Sequence, residues 1–228
     1  MKLHHIRGGN LIDLENKNYT IGIGISLGNK WFTPENIVEQ IKWALQYSKK
    51  EVVVYVADSI HTINIMVRSR KSLNAATKIV QQAGDQLFTQ IKNLTKDLTE
   101  EEQKRLVFVK WDEMIDDKFT IKLEYLRSCY AEPGPFQEMI RKVVREHVSK
   151  EDRKFSEEDI HGLGSYIVEE LPVCLSRVSM RNILVDAYTY PYDNKITQFT
   201  EQIQMGEIFP EIKEKVMDTE PKVFLEVR

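Results

Sequence analysis

The stretch Tyr19 to Phe32, YTIGIGISLGNKWF, contains a β-type run that stops at a serine enclosed by glycines. Along its first half, apolar residues alternate with small or polar ones, which is the period-two pattern of a strand. The apolar positions are Tyr19, Ile21, Ile23 and Ile25. The pattern predicts a strand that delivers Ser26 at its carboxyl end.

The residues after Ser26 predict a tight turn followed by a helix. Thr33 can cap that helix and Pro34 suits its first turn, so the segment is a strand, a turn and a helix. Open α/β sheets bind ligands at such junctions, and glycines at 22, 24 and 28 would let a ligand approach the backbone. Ser26 is therefore a candidate nucleophile, although a serine there could also simply tighten the turn.

The rest of the chain continues the alternation of strands and helices. Strands are predicted at Val52 to Val56, Arg105 to Trp111, Ile183 to Val185 leading into DAYTYPYD, and Lys222 to Val227. Helices are predicted at Glu35 to Lys49, Lys71 to Asp97, Asp116 to Tyr130, Phe136 to Val148, from Ser156 onward, and at Asn194 to Gln204. This order predicts an α/β fold, a mainly parallel sheet with helices on both faces, in one domain spanning 1–228.

Composition is that of an ordinary globular protein. The chain has 228 residues, of which 42% are hydrophobic and 29% charged, and its formal net charge is −3. Its two cysteines, Cys129 and Cys174, lie far apart and outside any metal-ligand spacing, so we expect free thiols and no metal site. No signal-peptide or membrane-spanning run is present, which predicts a soluble, cytoplasmic protein without a membrane partner.

Three groups of basic residues could contact a phosphate backbone, or could be solvated helix faces. They are Arg68, Arg70 and Lys71; Lys104 and Arg105; and Arg141, Lys142 and Arg145.

A tyrosine and a glutamate lie four residues apart on the helix that begins at Ser156. Tyr166 and Glu170 therefore share one helix face, just before Pro172. Burial would raise the pKa of Glu170 toward neutrality and suit it to acid–base work, but the same spacing also fits a surface pair. Asp58 and His61 follow the second strand and could be site residues or loop caps.

Three sequence motifs together resemble those of the cyclodipeptide synthases. They are GISLGN at Gly24 to Asn29 with Phe32 after it, SYIVEELP at Ser165 to Pro172, and the pair Tyr190-Pro191. The resemblance covers nearly the whole chain. It implies a Rossmann-like fold similar to the catalytic domain of class I tyrosyl- and tryptophanyl-tRNA synthetases.

The resemblance also implies a reaction. Such enzymes take two amino acids from aminoacyl-tRNAs and join them into a diketopiperazine without ATP or another cofactor. The residue matching Ser26 attacks the tRNA ester, those matching Tyr166 and Glu170 bind the amino group, and the glutamate takes part in proton transfer. The residue matching Tyr190 relays a proton during cyclisation, with Tyr188 as the match if a short deletion shifts the alignment.

The same resemblance supplies candidate binding residues. Gly24, Asn29, Trp111, Val173 and Tyr188 are the candidates for contact with the aminoacyl groups. Lys71 and Lys78, on the long helix after the second strand, are the candidates for contact with tRNA. A monomer is expected.

Two other functions fit parts of the sequence. Gly24 to Gly28 satisfies G-x-S-x-G, the nucleophile elbow of α/β-hydrolases, and His61, His147 and His161 follow it. That elbow normally follows several strands, whereas this one ends the first convincing strand. A non-catalytic nucleotide- or tRNA-binding module is the other alternative, with a phosphate at the helix start.

Overall fold

A six-stranded sheet forms the centre of the computed structural model, which describes residues 1–191, 195–218, 220 and 222–228. The strand order is β1 (Leu3–Arg7), β8 (Val223–Val227), β7 (Ala187–Pro191), β2 (Ile21–Ile25), β3 (Val52–Val56) and β4 (Leu106–Lys110). All neighbouring strands are parallel except β1, which is antiparallel to β8. The predicted mainly parallel sheet is therefore confirmed.

Helices cover the sheet, and a short hairpin precedes β7. In the described residues the α-helices are α1 (Leu11–Glu15), α2 (Pro34–Tyr47), α3 (Asp58–Ser69), α4 (Leu73–Leu94), α5 (Glu100–Lys104), α6 (Asp117–Ala131), α7 (Pro135–Val148), α8 (Glu157–Leu175), α9 (Lys195–Met205) and α10 (Pro210–Val216). The hairpin pairs β5 (Val178–Met180) with β6 (Ile183–Val185), and a 3₁₀ turn follows β4 at Trp111–Met114. None of these helices is both long and apolar enough to cross a membrane.

The two faces of the sheet bury different residues. On one face, alternate residues of β2 and β3 pack with apolar residues of α2 and α4. On the other face, Val53 and Tyr55 of β3 pack with apolar residues of α6, α7 and α8. Because both faces are covered, every residue of β2 and of β3 is buried, as expected for central parallel strands.

Most predicted elements are confirmed, with ends that shift by a few residues. The short elements β1, α1, α5, β5 and α10 were not predicted, and two further segments differ from expectation. Residues 183–185 form a strand, but it belongs to the separate hairpin rather than to the main sheet. Residues 58–69, whose pattern predicts no helix, form α3. The predicted start of α9 at Asn194 lies outside the described residues.

The order in which strands are added to the sheet reverses between β2 and β7, which are parallel neighbours. From β2 the chain proceeds through β3 to β4 on one side, whereas β7 and β8 extend the sheet on the other. Such a switch point opens a crevice at the carboxyl ends of the two central strands. Ser26 directly follows β2, so it lies at this crevice.

Candidate active site

Hydrogen bonds join three predicted residues at the end of β2. Ser26 Oγ lies 3.0 Å from the Tyr166 hydroxyl, although 140 residues separate the two in the chain. The Tyr166 hydroxyl donates to Glu170 Oε1 at 2.6 Å. A phenol has one proton to donate, and Tyr166 uses it on Glu170, so the Ser26 hydroxyl donates to the Tyr166 oxygen. The result is a directed chain from serine to carboxylate.

Burial gives the members of this chain different proton affinities. Burial raises the pKa of Glu170 to about 7, and the hydrogen bond from Tyr166 opposes that rise. Burial, assisted by the nearby Glu170 carboxylate, raises the pKa of Tyr166 well above its usual value. Tyr166 is therefore neutral at physiological pH, whereas Glu170 can gain or lose a proton there.

The start and the burial of helix α8 bring Tyr166 and Glu170 to Ser26. The start is fixed by a capping box, in which the Ser156 hydroxyl accepts from the Asp159 backbone N–H and the Asp159 carboxylate accepts from the Ser156 backbone N–H. Twelve of its residues are buried, so its direction is set by packing. The helix continues past Pro172 to Leu175, and Glu170 lies inside it rather than at its end.

The turn after Ser26 depends on a glycine and an asparagine. Gly28 has a φ of +83°, a conformation that favours glycine. The Asn29 backbone donates to the Ser26 carbonyl at 3.4 Å, and Asn29 Oδ1 accepts from the Trp31 backbone at 3.0 Å. Asn29 therefore shapes the turn. It also lines a cleft of about 300 Å³ beside Ser26, so contact with substrate stays a prediction.

Tyr55, which the sequence did not single out, fills the space over Gly24. An added Cβ at Gly24 would lie 2.6 Å from Tyr55 Cζ. The glycine thus admits the protein's own tyrosine close to the backbone. Tyr55 projects from the strand next to β2, and its ring contacts those of Tyr188 and Trp111, with centroids 5.5 and 6.3 Å away.

The other predicted substrate residues lie in the core around Tyr55. Trp111 and Val173 are each 2% exposed, and Tyr188 is 1% exposed. They pack in one apolar cluster together with Tyr55 and Tyr166. Their side chains are covered by other members of that cluster. Their contact with substrate therefore stays a prediction.

Of the two candidate downstream tyrosines, Tyr190 lies nearer the serine end of the sheet. Tyr188 pairs with Gly22, four residues before Ser26, and its ring packs under Lys222 Nζ at 3.6 Å. Tyr190 comes two residues later on β7, is partly exposed, and its ring lies 6.4 Å from that of Phe32. Tyr190 is also among the groups that raise the pKa of Tyr166.

His61 lies over the serine turn, in the first turns of α3. Its Cε1 would be 3.3 Å from a Cβ added at Gly28, and its ring meets that of Tyr166 edge to face at 6.2 Å. The Asn64 Nδ2 group lies 3.2 Å from its Nδ1. Burial, together with the charge of Arg68, lowers the pKa of His61 to about 4, so the ring is neutral.

Asp58, the other residue noted after the second strand, has a structural role. Its Oδ1 accepts from the Trp111 backbone at 3.2 Å and it packs against Gly84. It thus ties β3 to the segment after β4.

Many of the basic side chains noted in the sequence bind acidic side chains or backbone carbonyls of the protein itself. Arg68 pairs with Glu151 at 2.6 Å and Arg70 with Asp159 at 2.7 Å, which fixes the end of α3 to the start of α8. Arg105 donates to three carbonyls at the end of α2 and just beyond it, those of Leu45, Ser48 and Lys50.

The two arginines of the third basic group are likewise paired, whereas the predicted tRNA lysines are exposed. Arg141 and Arg145 both bind Glu157. Lys71 precedes α4 and Lys78 lies within it, and both are exposed to solvent. Contact of these two lysines with tRNA stays a prediction.

No grouping of three or more His, Cys, Asp or Glu side chains suited to a metal ion occurs in the described part of the chain. Cys129 and Cys174 are free thiols, as predicted.

The environment of His61 differs from that of a hydrolase histidine. In a Ser-His-Asp triad, Nδ1 donates to a carboxylate and Nε2 accepts from the serine. Here an amide nitrogen faces Nδ1, and the partner of Ser26 is Tyr166. The G-x-S-x-G match is therefore not accompanied by a triad at this serine.

Comparisons with known proteins agree on one family. A family model described as "Cyclodipeptide synthase" matches residues 14–207. No curated protein sequence matches the chain significantly.

Solved structures resemble the whole chain at low sequence identity. A cyclodipeptide synthase from Bacillus thermoamylovorans superposes with a TM-score of 0.76 at 14% identity, covering 99% of this chain and 96% of that one. A cyclodipeptide synthase from Candidatus Glomeribacter gigasporarum bound to Phe-tRNA gives 0.56 at 16% identity, covering 96% and 93%. Tyrosyl-tRNA synthetase from Archaeoglobus fulgidus gives 0.52 at 10% identity, covering 95% and 57%. These likenesses confirm the Rossmann-like, synthetase-type fold.

Proposed function

The chain belongs to the cyclodipeptide synthase family, and from this premise we propose that it joins two aminoacyl groups into a cyclic dipeptide through ester intermediates on Ser26. The aminoacyl groups come from aminoacyl-tRNAs, one of which is bound in a related structure. The observation that carries the proposal is the hydrogen-bonded chain Ser26–Tyr166–Glu170.

The first step transfers one aminoacyl group to the enzyme. Ser26 Oγ forms a bond to the ester carbonyl carbon, the bond from that carbon to the tRNA ribose oxygen breaks, and the ribose hydroxyl leaves with a proton. Because the tRNA ester is already activated, no ATP is needed, and the covalent intermediate divides the reaction into easier steps. The serine proton has a path along Tyr166 toward Glu170.

The next step forms the first peptide bond. The amino group of the Ser26-bound residue attacks the ester carbonyl of a second aminoacyl-tRNA, and the second tRNA leaves as its free hydroxyl. An amine must lose a proton to attack, and a carboxylate with a pKa of about 7 can accept one near neutral pH. Glu170 and Tyr166 are proposed to hold the same amino group before it reacts.

The last step releases the product. The terminal amine of the dipeptide attacks the Ser26 ester carbonyl, the second amide bond forms, and Ser26 Oγ leaves with a proton. Tyr190 is proposed as the group that relays this proton, since it lies toward the carboxyl end of β7, the strand that pairs with β2. Lys71 and Lys78 are proposed to hold the tRNA phosphates.

The proposal is tested by looking for products that depend on Ser26. The protein, Ser26→Ala and a matched control, Ser128→Ala, are expressed in bacteria, and the medium is searched for cyclic dipeptides by mass spectrometry. Ser128 is an exposed serine on α6 whose hydroxyl donates to the backbone carbonyl of Tyr125. We expect products from the native protein and the control and none from Ser26→Ala.

A second measurement looks for the intermediate itself. Purified protein is mixed with a full set of aminoacyl-tRNAs and its intact mass is recorded. An aminoacyl adduct that disappears in Ser26→Ala supports the ester intermediate. A protein that binds tRNA but forms neither adduct nor product would instead be a binding module.

A further inference from the structure

We propose that His61 donates a hydrogen bond from Nε2 to the ester carbonyl oxygen while Ser26 attacks it. The inference rests on the proposed function, because it concerns the attack of Ser26 on an aminoacyl ester. It assigns a catalytic role to a residue that the three sequence motifs do not contain. His61 is placed there by α3, a helix that the sequence pattern does not predict.

The position of His61 is the first argument. Its ring covers Gly28, two residues after Ser26, with Cε1 at 3.3 Å and Nε2 at 3.4 Å from the place where a Cβ would be. The His61 ring also meets the ring of Tyr166 edge to face, and the Tyr166 hydroxyl is hydrogen-bonded to Ser26 Oγ. His61 thus reaches the serine turn from α3, while Tyr166 reaches Ser26 from α8.

The tautomer of His61 is the second argument. The group facing Nδ1 is the Asn64 amide nitrogen, which can only donate, so Nδ1 accepts. In a neutral imidazole the other nitrogen then carries the proton, and Nε2 is a donor. Asn64 is three residues further along α3, which puts it on the same helix face as His61.

A neutral donor suits this step. Attack by Ser26 converts the ester carbonyl oxygen into an oxyanion, and donors held in place for that charge speed acyl transfer. The ring is neutral because it is buried and near Arg68, so it donates without transferring its proton. Ser26 passes its proton along Tyr166, so His61 is not needed as a base.

The experiment measures acylation of Ser26 in three variants. Bulk bacterial tRNA is charged with one amino acid at a time, the charged tRNA that labels the native protein is chosen, and adduct formation is followed by rapid quench and intact mass. His61→Phe keeps a ring without a donor, His61→Gln keeps a donating amide, and His5→Phe is the control, since His5 is exposed on β1.

We expect His61→Phe to lower the acylation rate about 100-fold, the usual scale for losing one oxyanion donor. Affinity for the uncharged tRNA and the thermal unfolding midpoint should stay near those of the native protein, and His61→Gln should recover part of the rate. His61→Phe that folds and acylates at the native rate would overturn the inference. A native protein that forms no Ser26 adduct would overturn the proposed function as well.

Asn64→Asp tests the tautomer. A carboxylate accepts from Nδ1, so Nε2 loses its proton in the neutral ring and acylation should fall. The carboxylate also raises the pKa of His61, so at lower pH the ring gains a proton and Nε2 donates again. The ratio of the acylation rate of Asn64→Asp to that of the native protein should therefore rise as pH falls. Glu170 and Tyr166 are present in both proteins, so their effect on the rate cancels in this ratio. A pH-independent ratio would contradict the assigned donor.

Discussion

At the scale of single residues, Glu170 combines a functional position with an energetic cost. Its carboxyl group is held by Tyr166 beside the serine, and its raised pKa shows that the protein disfavours the ionised form. Active sites commonly retain such unfavourable groups because the reaction needs them. The cost of this one can be measured, since a glutamine has the shape of the neutral acid.

We predict that Glu170→Gln stabilises the protein at alkaline pH and abolishes product formation. The folded-state pKa of about 7 exceeds the ordinary value of 4.5, so the folded state binds more protons between these values and native stability falls as pH rises through them. Glu170→Gln has no carboxyl group here and does not lose this stability. Its free energy of unfolding should exceed that of the native protein by the order of 3 kcal/mol above pH 7, and the difference should vanish below pH 4.5.

Urea unfolding across pH 4 to 9 measures the difference, with Glu169→Gln as the control. Glu169 is the neighbouring residue on α8, and it pairs with Arg127 instead of the serine chain. An advantage of Glu170→Gln that is independent of pH would contradict the assigned titration.

At the scale of elements, the glycines of β2 are explained by the tyrosines that cover them. Gly24 faces Tyr55, and Gly22 faces Tyr188 with Cδ1 at 2.8 Å from an added Cβ. The sequence predicted a close approach to this strand but attributed it to a ligand. The side chains that approach the glycines instead come from β3 and β7, the two strands that pair with β2. The glycines alone do not reveal which strands pair with β2, so this covering could not be predicted.

We predict that Gly24→Ala destabilises the protein by about 1–3 kcal/mol, the usual cost of overpacking. The added methyl group would collide with the ring of Tyr55. In Tyr55→Leu that ring is absent, so the alanine should cost much less there. Urea unfolding of the two single variants and the double variant gives the coupling energy, and simple additivity would contradict the collision.

The predicted contacts with tRNA lie on the long helix α4 and just before its start. We predict that Lys71→Ala with Lys78→Ala weakens tRNA binding and lowers the slope of log affinity against log salt by about 2, one unit for each lost phosphate contact. Lys104→Ala is the control, because Lys104 is an exposed lysine at the end of α5, outside α4. Filter binding at several salt concentrations gives the slopes, and an unchanged slope would exclude both lysines from the interface.

At the scale of the whole molecule, sequence patterns predicted the elements whose signals are local. The apolar run Val52–Val56 is β3 to the residue, and Thr33 caps α2 as expected. The segment Leu3–Arg7 is half polar and is a strand because β8, at the other end of the chain, supplies its hydrogen bonds. Helix α3 starts at Asp58, and its N-cap residue Ala57 has no side chain that could cap it and reveal the start.

The sequence also singled out three side chains that the structure brings together. Ser26, Tyr166 and Glu170 were chosen from spacing and motifs, and they form one hydrogen-bonded chain. The pairing of Arg68 and Arg70 with Glu151 and Asp159 could not be predicted, since each partner lies more than 80 residues away in the chain. A basic cluster in a sequence therefore does not identify a free basic surface.

The two ends of the chain are joined by a buried ion pair. Arg7 on β1 donates to Glu226 on β8 at 2.9 Å and also pairs with Glu201 on α9. Glu226 is 0% exposed, and its Oε1 also accepts from Thr197 at 2.8 Å. This pair connects the first strand, the last strand and the helix that follows β7.

We predict that Arg7→Met destabilises the protein by about 3–5 kcal/mol, because it leaves the Glu226 carboxylate buried without its cation. Adding Glu226→Gln removes that charge and should restore much of the stability. Urea unfolding of the single and double variants measures both effects. If the double variant is no more stable than Arg7→Met, the loss comes from the packing of the arginine stem against the sheet, and the fold does not depend on charge compensation at this edge.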